Sequence, residues 1–160
     1  MKKHVKIIIA SAGVSVLTLA GLTLAADNFP DVIRMENTAA YEKHVQPIVM
    51  FSHKKHFEKY QIGCGDCHHD EYAEPLNDLK VGDDVLPCLD CHQPGQADRK
   101  ALRGLSKQER RTAELQYHYG AIHENCQGCH EKYNTEKVGD PRKGPAPVAC
   151  TQCHPKTAQK

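Results

Sequence analysis

Uninterrupted hydrophobicity occurs at one end of this chain only. From Ile7 to Ala26 the positions are apolar or small, behind Lys2, Lys3, His4 and Lys6 and with no acid before Asp27. A positive start, an apolar middle and small residues at Ala25 and Ala26 predict a secretory signal over residues 1–26. About twenty such residues could also just span a bilayer as an uncleaved anchor. Beyond them the apolar positions are sparse. "DVIRME" and "PIVMFS" are short strand-like runs, and "FSHKKHFEKY" places His53 and His56 three apart, on one face of a short helix. "SKQERRTAELQYHYGAIHENC" opens with the capping box Ser106-x-x-Glu109 and predicts a longer helix.

Composition sharpens this. Residues 27–160 carry 18 basic and 20 acidic side chains, a balance that suggests no nucleic-acid partner. They hold no Trp and few large aliphatic residues. A single domain of this polarity cannot easily offset its ordering entropy with its own side chains. Something other than protein must complete its core.

The cysteines show what. An even number in an exported chain would ordinarily suggest disulfides. Here Cys64-x-x-Cys67-His68, Cys88-x-x-Cys91-His92, Cys126-x-x-Cys129-His130 and Cys150-x-x-Cys153-His154 use all eight, and each pair is followed at once by histidine. That is the attachment pattern of c-type haem, whereas a zinc ribbon needs no histidine behind each pair. On one helical turn the two sulfurs lie on the same side and can both bond one porphyrin, and the next residue brings imidazole to the iron. Four clips predict four covalently attached haems, close together in a chain with a radius of gyration of about 14 Å.

Each iron keeps one further axial position. Met35 and Met50 sit in the strand-like runs, where packing is the simpler role. His44, His53, His56, His69, His118 and His123 remain for four positions. His69 lies about 100° around a helix from His68, so the two cannot share an iron. His118 and His123 are about 140° apart, so one of them faces a haem. His44, in the polar "YEKHVQ", is most simply a solvated turn residue.

"IRMENT", "QPIVMFSHKKH", "CGDCHH", "YHYGAIH" and the four clips together resemble the tetrahaem cytochromes c3, class III c-type cytochromes of sulfate-reducing bacteria. The resemblance covers nearly all of residues 27–160. It implies a small multihaem fold with little regular structure. A short N-terminal β-hairpin, Val32 to Glu36 against Pro47 to Phe51, and a few short helices would pack around four haems, the helix near Ser106 being the longest. It also implies two histidines on every iron: His53 with His68, His69 with His92, His56 with His130, and His123 with His154, with His118 as the alternative to His123. The chain departs from a common family form in using CxxCH at all four clips, and in the short spacing from His123 to Cys126.

Charge is uneven. Cys64 to His92 holds eight acids against Lys80, net −7, while Gln93 to the end holds 12 basic and 7 acidic residues, net +5. Such an asymmetry orients a molecule in a partner's field. The resemblance implies a non-enzymatic, low-potential electron carrier of the periplasm. It would take electrons from hydrogenase or formate dehydrogenase, docked near the fourth clip, and pass them to a membrane redox complex, without stable membrane insertion if the signal is cleaved. The competing readings are a membrane-anchored tetrahaem quinol dehydrogenase subunit, whose first clip typically has a nearby Met ligand that "CGDCHHDEYAE" lacks, and a reductase with an open iron.

Overall fold

A computed structural model describes residues 29–156. The signal segment 1–26 lies outside them. The two strand-like runs form a minimal antiparallel hairpin, β1 (Ile33–Arg34) against β2 (Met50–Phe51), with Ile33 opposite Phe51 and Arg34 opposite Met50. Strand alternation turns Ile33 and Phe51 inward and Arg34 and Met50 outward. Met50 is therefore 51% exposed instead of packed. The long connection between the strands is shaped by Asn37, whose Oδ1 accepts the amide hydrogens of Ala39 at 3.1 Å and Ala40 at 2.9 Å.

Among the described residues five short α-helices follow: α1 (His53–Glu58), α2 (Lys107–Leu115), α3 (His118–His123), α4 (Cys129–Val138) and α5 (Cys150–Cys153). The capping box forms as expected: Ser106 N–H donates to Glu109 at 2.9 Å, and Glu109 N–H to Ser106 Oγ at 3.3 Å. Yet α2, at 9 residues, is not the longest helix; α4 has 10. Tyr117 breaks the run by adopting extended geometry, φ −112° and ψ 145°, so that its strand-like pairing with Gln93 can form. Gly120 permits the close turn that results, because a Cβ there would strike the Glu114 carbonyl. Beyond the break, α3 continues through a π-helical turn at Glu124–Gly128 into α4, which ends on Gly139 at φ 73°.

Among the described residues the buried apolar side chains are Ala40, Ile48 and Leu102. Tyr72, Leu86, Val45 and Val138 are all exposed. Protein side chains thus close almost no core of their own, as the composition predicted.

Asn134, the one fully buried side chain among the described residues, fastens the loop after α4. Its Nδ2 donates to the carbonyls of Pro141 at 3.1 Å and Ala146 at 2.9 Å, and its Oδ1 accepts the Ala146 amide at 2.9 Å. Each such bond contributes about 1 kcal/mol net, and the carbonyls left behind would be poorly solvated. Asn134→Ala should therefore lower stability by about 3 kcal/mol, read as a fall in the denaturant midpoint at unchanged slope.

Candidate functional site

Each clip is about one turn of chain, as its spacing requires, but the turns differ. Cys64–Asp66 and Cys88–Asp90 form single 3-10 turns, the third clip lies within the continuous α3–α4 run, and the fourth is α5 itself. In three clips the histidine amide donates to the first cysteine's carbonyl: His68 to Cys64 at 2.8 Å, His92 to Cys88 at 2.9 Å, and His154 to Cys150 at 2.8 Å. One turn thus presents two sulfurs and an imidazole together. Side chains reinforce it, with Asp66 accepting the Gly63 amide at 2.8 Å and Gln152 accepting those of Val148 and Ala149 at 3.0 and 2.9 Å.

Each clip histidine faces one histidine from elsewhere in the chain. Ring centroids stand 6.4 Å apart for His53 and His68, 6.1 Å for His69 and His92, 6.3 Å for His56 and His130, and 6.4 Å for His123 and His154. These are the four combinations that the resemblance implies. A metal bound by imidazole nitrogen sits about 2 Å from it, and the nitrogen about 1 Å from its ring centroid, so two rings on one ion stand about 6 Å apart. The pairs fit a group with an axially ligated iron between them. His53 and His56 reach two different partners from one helix, and the adjacent His68 and His69 belong to different pairs.

Nearby backbone turns six of these rings. The Nδ1 of His56 bonds the carbonyl of Ser52 at 2.9 Å, that of His69 the carbonyl of Asp70 at 2.7 Å, and that of His123 the carbonyl of Tyr119 at 2.7 Å. His92 bonds Leu115 at 2.7 Å, His130 bonds Pro147 at 2.7 Å, and His154 bonds Pro47 at 2.6 Å. In each case Nδ1 donates, which fixes the tautomer and leaves Nε2 free to ligate. Leu115 is the last residue of α2, so His92 also satisfies one of that helix's open carbonyls. Asn134 holds the loop that carries Pro147. Sequence reasoning missed these partners, since a backbone carbonyl belongs to every residue type.

Burial pushes the Cys67 thiol up to about 11, with Cys129 and Cys126 adding to the shift. Burial, then Cys153, Cys129 and Cys88, raises Cys126 as well. The same couplings bring the third clip within electrostatic reach of the other three.

The histidines outside the pairs have other work. His118 is buried, and its Nδ1 shares a 2.9 Å hydrogen bond with the Tyr41 hydroxyl. His44 is not the solvated turn residue expected: half-buried, its Nε2 accepts the Asn37 amide at 3.1 Å, and its ring lies edge-on to Tyr41 at 5.2 Å. The strand connection folds back there, which draws His44 inward.

A sequence model of the class III cytochrome c family matches residues 30–154. No curated protein matches the chain.

Burial, followed by His92, His123 and His44, holds His118 below the ordinary histidine range. The folded chain keeps it neutral where the unfolded chain, titrating near about 6.5, takes up a proton. Its contribution to stability is therefore complete above that value and is lost as pH falls through the lower folded value. His118→Phe should be less stable near neutrality, yet lose less stability on acidification from about pH 8 to 5 than the parent, measured by denaturant titration at each pH.

Proposed function

The chain belongs to the class III cytochrome c family, multihaem electron carriers with covalently attached c-type haem, and on that footing we propose a periplasmic low-potential carrier in which each histidine pair closes one of four irons. The observation that supports this reading most is the common 6.1–6.4 Å spacing of four ring pairs, each containing one clip histidine.

Cys64 and Cys67, Cys88 and Cys91, Cys126 and Cys129, and Cys150 and Cys153 each tether one haem through two thioethers. Bound haem supplies one-electron exchange between ferric and ferrous iron. The chain's own residues set the terms of that exchange. Two imidazoles in place of an imidazole and a thioether favour low potential. Carbonyl acceptors on Nδ1 strengthen imidazole donation further. With a histidine pair on each iron, no open position would be left for a substrate, so the protein would carry electrons without transforming anything. Many of its large apolar side chains are exposed, Phe57, Tyr119 and Val138 among them, and porphyrins bound to the clips would supply apolar surface that the protein lacks.

Partners follow from charge. Lys132, Lys137, Arg142, Lys143 and Lys156 all lie exposed on α4, the following loop and the region after α5, flanking the fourth clip in sequence. They suit an acidic redox enzyme, hydrogenase or formate dehydrogenase, as electron donor, with a membrane redox complex as acceptor. No helix among the described residues is long and apolar enough to cross a membrane. Export to the periplasm rests on the signal read in residues 1–26.

Three outcomes are expected. Low-temperature EPR of the oxidised protein should show low-spin haems only. Two should give strongly anisotropic signals, matching ring planes at 88° and 82°, and two should give rhombic signals, matching 19° and 37°; a stoichiometric high-spin signal would reject paired ligation. His69→Ala should convert one haem to high spin, identified by NMR as that of Cys88 and Cys91; conversion of the haem of Cys64 and Cys67 would overturn the assignment. Electron transfer from hydrogenase should slow as ionic strength rises, as charge-steered docking requires, and a flat salt dependence would contradict a docking face of this kind.

A further inference from the structure

The eight paired histidines are not held alike. In the pairs His69/His92, His56/His130 and His123/His154, both Nδ1 atoms bond backbone carbonyls. The pair His53/His68 has neither bond. Nδ1 of His53 is buried with no hydrogen-bond partner, and among the described residues no hydrogen bond reaches the ring of His68. Phenyl rings take the place of the carbonyl: His53 lies 4.7 Å from Phe29 and 5.9 Å from Phe51, centroid to centroid.

Two effects follow, and they have the same sign. An Nδ1–H on a carbonyl gives the imidazole partial anionic character and stabilises ferric iron at Nε2; His53 and His68 lack that support. The phenyl contacts around His53 also form a low-dielectric surface, which disfavours the more positive ferric state. Nearby acids work the other way, but weakly. Asp66 accepts the Gly63 amide, and Asp70 accepts those of Tyr72 at 2.8 Å and Glu74 at 2.9 Å, so backbone dipoles offset part of each charge.

We propose that His53 and His68 hold the haem of the first clip at the highest potential of the four, with Phe29 and Phe51 as the residues that position and desolvate His53, so that electrons settle at this site first. The inference rests on paired ligation. It gives the carrier a defined resting place for its first electron, set by the absence of a hydrogen bond.

The test is a stepwise reduction of the intact four-haem protein, followed by NMR of the haem methyl resonances, each haem being assigned through contacts to its own clip. The haem of Cys64 and Cys67 should be reduced first. Phe29 packs on His53 and Phe57, whereas Phe51 lies 4.6 Å from His56 as well. Phe29→Ala should therefore admit water to Nδ1 of His53 and move the first haem to a later place in the sequence of reduction, with the order of the other three unchanged and all four low-spin by EPR. A different haem reduced first in the parent, or a variant in which all four shift together, would overturn the proposal. A high-spin signal from the first haem in the parent would overturn paired ligation and this inference with it, whereas four low-spin signals with another order would overturn only the tuning.

Discussion

The architecture depends on one repeated interaction, an imidazole Nδ1–H donated to a backbone carbonyl. Each such bond aims a ring so that Nε2 faces a second ring about 6 Å away. Three of the six, those of His92, His130 and His154, also tie together segments that are distant in sequence. Pro47, beside the N-terminal hairpin, anchors His154, the residue just after the last helix. Leu115 anchors His92, and Pro147 anchors His130. Given that so few apolar side chains are buried, these long-range ties take on much of the organisation that a hydrophobic core provides in other folds of this length.

That explains why so little regular structure suffices. Two-residue strands and helices of four to ten residues would be marginal in isolation. Here they need only deliver a histidine or a carbonyl to the right place. The broken helix around Tyr117 is a case in point: ending α2 at Leu115 frees the carbonyl that His92 requires, and restarting at His118 carries His123 toward His154. Asn134 acts one step further back, through the loop that presents Pro147. The consequence is that six of the eight paired rings are held in orientation by hydrogen bonds to the backbone.

Electrostatics adds direction to that frame. The first half of the clip region is acidic and the remainder basic, so the four sites do not share one field. With ring hydrogen bonds on three pairs and an aromatic enclosure around the other, haems held at these pairs would have distinct surroundings. Sites graded in this way would let a carrier accept and release electrons in sequence instead of at random.

How much of this could be read without coordinates depended on the kind of information each feature carries. Covalent attachment is written in residue type and spacing: CxxCH needs only one turn of chain, so all four clips were legible, as were the capping box at Ser106 and the strand-like runs around Ile33 and Met50. The adjacency of His68 and His69 likewise required two different partners, because neighbouring residues diverge on any local backbone. The choice between His118 and His123 was another matter. Both lie on one short helix, and only the bend at Tyr117, set by pairing with Gln93 far earlier in the chain, turns His118 onto Tyr41 and His123 toward His154. The carbonyl anchors and the orphaned Nδ1 of His53 had no signature at all, since every residue has a carbonyl and a missing hydrogen bond has no residue type. Local chemistry is encoded by side-chain identity, whereas the environment of each ring is a sum over segments that meet only on folding.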